Sequence, residues 1–159
     1  MRRLHTKEQL AAMTQTSPNT TFSPYAGLPL PQPSWDNYKF WEFCHAHELR
    51  VQKCTDCAAL RYYPRPACPE CHSMKFEWAK MSGKGTVYTY TIAHHPVLPY
   101  FADKVPLPVG VIKLTEGEVY MVGRLMDIDP TEVEIGMPVE VMFEDVAEDI
   151  SLPQWRKAS

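Results

Sequence analysis

The sequence predicts a mainly β protein with an N-terminal helix, a small metal-pinned module in mid-chain and a small barrel after it. Three observations carry this. Cys54, Cys57, Cys68 and Cys71 form two Cys-x-x-Cys pairs joined by ten residues, the spacing of a tetrahedral four-thiolate site. Residues 86–143 hold several short runs rich in β-branched and aromatic residues, separated by Gly- and Pro-containing turns. Residues 35–49 contain neither Gly nor Pro and repeat apolar side chains near helical spacing.

Residues 1–33 read as a flexible, Pro-rich arm. The stretch 14–21 is polar, and Pro24, Pro29, Pro31 and Pro33 oppose a helix and favour an extended path. A helix over 34–50 follows, with Ser34 as its cap. Trp35, Tyr38, Phe40 and Trp41 give it an unusually aromatic face. That face packs on the neighbouring domain, docks on another subunit, or does both. His45 and His47 lie on this helix with no matching Asp or Cys nearby, which suits surface or interface roles. Cys44, among aromatics, is expected to be buried and inert.

The metal module spans 51–80. Residues 49–53 and 60–63 read as strands entering and leaving the first Cys pair, and 76–78 leads away from the second. Four soft thiolates suit zinc and leave no position open for substrate, so the metal is structural. Metal binding on the order of 10–16 kcal/mol folds modules too small for a core of their own. Iron in the same cage, giving an electron carrier, is the redox alternative. Ala58 and His72 follow the two pairs where glycine would ease the turn.

The barrel spans 81–146. Strands are expected at 86–92, 109–114, 119–125 and 139–143, with a bulge or bend at Gly123. Four or five short strands in such a segment fit an OB-fold. His94 and His95 end the first strand on opposite faces and do not share one metal, one being packed and the other solvated. Residues 147–159 read as a C-terminal tail.

Charge is uneven. Residues 51–85 carry six basic against three acidic side chains, and residues 86–159 carry five against twelve. The acidic half opposes phosphate backbones and argues against a single-stranded nucleic-acid module, the other common use of these folds. The basic module can meet a small phosphorylated ligand through Arg61, Arg65 and Lys84, with Lys53 and Lys80 close by in sequence. No run of about eighteen apolar residues predicts a membrane span. The basic start is not followed by an apolar segment of the signal-peptide kind, so a reducing cytoplasm is expected. A disulfide framework is the competing reading, opposed by the odd fifth cysteine, Cys44. No nucleophile elbow, phosphate loop, dinucleotide fingerprint or His-Glu zinc motif occurs.

Five segments in order resemble a known family: Phe40-Trp41; Leu49-Arg50-Val51-Gln52-Lys53-Cys54-Thr55-Asp56-Cys57; Tyr63-Pro64-Arg65-Pro66-Ala67-Cys68-Pro69-Glu70-Cys71; Ser82-Gly83-Lys84-Gly85-Thr86-Val87-Tyr88; and Ile135-Gly136-Met137-Pro138-Val139-Glu140-Val141. The family comprises small proteins with a helix, a rubredoxin-like zinc ribbon and an OB-fold that accompany thiolases, acyltransferases and thiolase-fold aldolases. The resemblance implies a non-catalytic accessory subunit in a hetero-oligomer such as a heterotetramer. It implies one zinc on the four cysteines and a share in holding CoA or an acyl-CoA, with catalysis in the partner. Some relatives serve aromatic acyl-CoA thiolases of the benzoylsuccinyl-CoA type.

Overall fold

The computed structural model describes residues 24–96 and 98–158. The expected arm therefore lies outside the described residues as far as position 23. Residues 24–27 form a turn and 28–34 have no regular structure. The prolines at 29, 31 and 33 withhold the amide donors that a helix or ladder needs.

Helix α1 is Tyr38–His45, shorter than the expected 34–50. Ser34 does not cap it with its side chain. Its carbonyl accepts from the amides of Asn37 (3.1 Å) and Tyr38 (2.9 Å), and its amide donates to Asn37 Oδ1 at 2.7 Å. This closed turn uses residues 35–37 before the helix begins. At the other end His47 takes a left-handed φ of 56°, and the Glu48 amide bonds back to the Phe43 carbonyl. A left-handed residue stops a helix. Phe40 and Cys44, four apart on one face, are its buried residues.

Three strands form the metal module: β1 (Arg50–Cys54), β2 (Leu60–Arg61) and β3 (Phe76–Lys80), antiparallel in the order β2-β1-β3. Five more close a barrel: β4 (Lys84–Ala93), β5 (Leu107–Leu114), β6 (Tyr120–Met126), β7 (Pro138–Ala147) and β8 (Ile150–Lys157). Their order is β4-β5-β6-β8-β7, with only β6–β8 parallel. β5 alternates half-buried and buried over all eight residues, as a strand facing one core must.

Two expectations change here. Most of the expected tail over 147–159 is the strand β8, paired with β7 from Val139↔Lys157 to Ala147↔Ile150. It delivers Trp155, fully buried, to the core. Register irregularities in the barrel lie between Val87 and Thr89 and between Asp145 and Ala147, whereas Gly123 pairs in regular register with Gly110.

One core joins all three parts. Phe40 and Cys44 of α1, Leu49 and Val51 of the ribbon, and Ile112, Leu125 and Trp155 of the barrel belong to one buried cluster. The helix face thus packs on its own chain. Among the described residues no helix is long and apolar enough to cross a membrane.

Candidate metal centre

The four cysteines converge. Cys54 ends β1, and Cys57 follows in the turn to β2. Ala58 and His72 take left-handed φ values of 61° and 59°. Each donates its amide to the carbonyl of the first cysteine of its pair, Cys54 or Cys68, at 3.0 Å. Both knuckles therefore form the turn expected to favour glycine, at a backbone cost of roughly 1–2 kcal/mol each.

The second knuckle is tied to the first. Ser73 Oγ donates to Asp56 Oδ2 at 2.6 Å, and Lys75 lies 3.5 Å from Asp56. The Cys68 amide donates to the Ser73 carbonyl at 2.8 Å.

The sulfur atoms of Cys54 and Cys71 are 3.6 Å apart, as are those of Cys57 and Cys68, and all four lie within 4.8 Å of one another. A tetrahedron with zinc–sulfur bonds of about 2.3 Å has sulfur–sulfur edges of about 3.8 Å. The cage fits one metal ion. Backbone amides lower two of the four thiols: those of Cys57 and Asp56 act on Cys54, and those of Cys71 and Glu70 bring Cys68 down to about 6, while sharing hydrogen bonds with the neighbouring sulfurs holds Cys57 and Cys71 above the ordinary thiol value. With every tetrahedral position taken by sulfur, the ion has no place for substrate.

The likeness to known proteins follows this geometry. Residues 41–77 match the family model for the ChsH2 rubredoxin-like zinc ribbon domain, and residues 78–144 match the one for the ChsH2 C-terminal OB-fold domain. A solved structure described as an Ltp2-ChsH2(DUF35) aldolase contains a chain that this protein covers completely, at 36% identity and a TM-score of 0.74. That alignment takes in 82% of the present chain. The chain belongs to the ChsH2/DUF35 family.

A DUF35 domain-containing scaffold protein of Methanocaldococcus jannaschii is 38% identical over 99 residues, 61% of this chain and 68% of that protein. A probable enoyl-CoA hydratase alpha subunit of Thermomonospora curvata is 37% identical over 139 residues, 87% of this chain. This DUF35 chain spans only 43% of that subunit's length.

The other candidate residues separate into buried and exposed groups. Phe40 is fully buried, so it anchors α1 inside this DUF35 chain and is not a surface contact. Trp41 is partly buried against the same core, and Tyr38 is half-buried. Trp35, 69% exposed, is the one of the four that projects into solvent.

Arg61 is also corrected. It is 6% exposed, donates from Nε to Gln52 Oε1 at 2.7 Å and lies over the Phe76 ring at 5.1 Å. Its two terminal nitrogens find no hydrogen-bond partner among the described residues. In this position it braces the ribbon and does not face a phosphate in solvent.

Arg65 and Lys84 are exposed and form no ion pair among the described residues. Lys53 and Lys80 are engaged by Glu77 and Glu48. Arg65 borders an open cleft with Asp36, Tyr63, Pro66, Cys68 and His72.

Sequence reading missed Gln52. Fully buried, it accepts from Arg61 Nε and from the Arg65 amide, at 2.7 and 2.9 Å. His94 and His95 lie beyond the end of β4 and are both exposed, so neither is packed. His47 does meet a carboxylate, Asp145 at 2.8 Å, and it stacks on Phe143. Cys44 is fully buried, and burial pushes its thiol up to about 12.

Proposed function

We propose that this chain is a non-catalytic accessory subunit of a thiolase-fold acyl-CoA enzyme, held in shape by one structural zinc. The observation that carries the reading is the match over the full length of the DUF35 chain in the Ltp2-ChsH2(DUF35) aldolase. The acyl-CoA hydratase subunit among its relatives supports the same class of substrate. The chemistry of the chain agrees. Its metal cage has no open position, and its one other cysteine is buried and held as a neutral thiol.

In this reading the zinc fixes the angle between helix and barrel, and the partner supplies the reacting groups. Arg65 and Lys84 offer free cations to the phosphates of CoA by charge-assisted hydrogen bonds. The complex works in a reducing cytoplasm, where the cysteines stay available to metal. The partner is a thiolase of the benzoylsuccinyl-CoA type or an aldolase of thiolase fold, and the activity of the purified complex separates the two.

The test is purification of the tagged chain from its native host with metal analysis. A thiolase-fold subunit in stoichiometric amount and one zinc per chain are expected. A chain that runs alone, with no acyl-CoA enzyme eluting beside it, overturns the reading.

A further inference from the structure

The barrel is closed only over part of its height. β4 pairs with β5 from Gly85 to Ala93, but with β7 only at Lys84, Gly85 and Thr86. Val87 ends that seam, donating to the Met137 carbonyl and accepting from the Gly136 amide. Beyond it, no backbone bond among the described residues reaches the free side of residues 88–93. Tyr88, Thr89, Tyr90 and Thr91 are all exposed, and so is Ile135, next to the point where the seam ends.

Natural edge strands are protected by Lys, Pro, inward charges or a covering loop, because a bare edge recruits other strands. Residues 88–93, Tyr-Thr-Tyr-Thr-Ile-Ala, contain no charge and no Pro. They are also rich in residues that favour strands. At the end of this edge lies an apolar cavity of about 160 Å³ lined by Ala93, His95, Leu98, Phe101, Val105 and Leu107. An unpaired edge with a side-chain pocket at one end is the arrangement that binds an extended peptide by strand addition. Backbone bonds supply affinity there and the pocket supplies selectivity.

We propose that the free edge of β4 receives an extended, uncharged segment of the thiolase-fold partner, with one apolar side chain of that segment seated in the cavity. This rests on the accessory-subunit reading. A second copy of the chain is the weaker occupant. Two such edges would engage six residues a side, against roughly 20–30 a side in a stable interface. A large enzyme adds contacts elsewhere, for which exposed Trp35 is available.

The experiment is hydrogen exchange on the chain alone and on the complex purified with its thiolase-fold subunit. It is joined by the double variant Thr89→Lys, Thr91→Lys. Both threonines are exposed, so the variant should fold and hold metal as the parent does. The free-side amides of residues 88–93 should exchange at least about tenfold more slowly in the complex. The variant should bind the partner at least about tenfold more weakly. A complex in which these amides exchange as before, or a variant that binds like the parent, overturns this proposal alone. Concentration-dependent protection of the same amides in the isolated chain overturns it in favour of a second copy. Absence of any complex overturns the accessory-subunit reading and this proposal with it.

Discussion

A Cβ placed on Gly123 would stand 2.7 Å from Cδ1 and 2.9 Å from Nε1 of Trp155. The indole of β8 thus occupies the space that the glycine of β6 leaves empty. Trp155 is the largest fully buried side chain of the barrel, so this contact decides how β8 seats.

Gly123→Ala forces the ring or the strand to move, an overpacking expected to cost about 1–3 kcal/mol. Trp155→Ala opens a cavity and is expected to cost about 3–5 kcal/mol. Urea unfolding measures both. A Gly123→Ala unfolding free energy within about 0.5 kcal/mol of the parent's, the range of a neutral surface change, would show that Trp155 is not locked here.

Gln52→Ala is predicted to weaken the ribbon although Gln52 ligates no metal. It removes the acceptor of buried Arg61 Nε and of the Arg65 amide. A buried donor left unsatisfied costs about 1–3 kcal/mol, more for a charged group. Thermal unfolding should fall, and a chelator should strip metal faster than from the parent. Unchanged metal loss would place the role of Gln52 outside the metal module.

The ribbon was legible because its signal is local: four cysteines in two short loops specify a site whatever lies around them. The first barrel strands were legible for the same reason, since alternation and turn residues are neighbours in sequence. β8 was not. Its sequence includes Pro153 and ends in Arg156 and Lys157, which resembles a tail until Phe143 is found opposite the proline. Phe40 and Arg61 were read by type, as an aromatic and a cation available to partners. Burial depends on which faces meet in the fold, and residue type alone does not report it. The His47–Asp145 contact joins residues 98 apart, beyond any reading of local spacing.

Cys68→Ser is predicted to abolish metal binding and complex formation. The cage loses a ligand whose sulfur the amides of Cys71 and Glu70 hold toward the thiolate form. The binding energy at stake is on the order of 10 kcal/mol. The β signal of the barrel should persist in circular dichroism, although Leu49 and Val51 share its core and its melting temperature should drop. Normal assembly of this variant with full metal content would refute the ligand assignment.

The link between the end of α1 and β7 should fade in acid. Asp145 lies below its ordinary value of 3.8 because Ser151 and then His47 bond to its carboxylate. A carboxyl lowered by folding contributes stability that is fully present above the unfolded value. That contribution is lost as pH falls through 3.8 and on to the folded value. The contribution is small, since both side chains are more than half exposed. Asp145→Asn should flatten the acid limb of a stability profile recorded between about pH 3 and 6. An identical limb in the variant would assign that pH dependence to other carboxyls.

Thiol titration separates the two classes of cysteine. Metal holds Cys54, Cys57, Cys68 and Cys71, so the loaded protein should show no fast-reacting thiol. After chelation these four should react, helped by the exposure of Cys57 and Cys71. Cys44 should appear only in denaturant, because burial removes access and holds its thiol at about 12, where the thiolate is scarce at neutral pH. A fifth thiol reacting in folded, metal-loaded protein would make Cys44 accessible. A nucleophile in this chain would then have to be reconsidered, because the thiolate is the reactive form and the structure withholds it at this position.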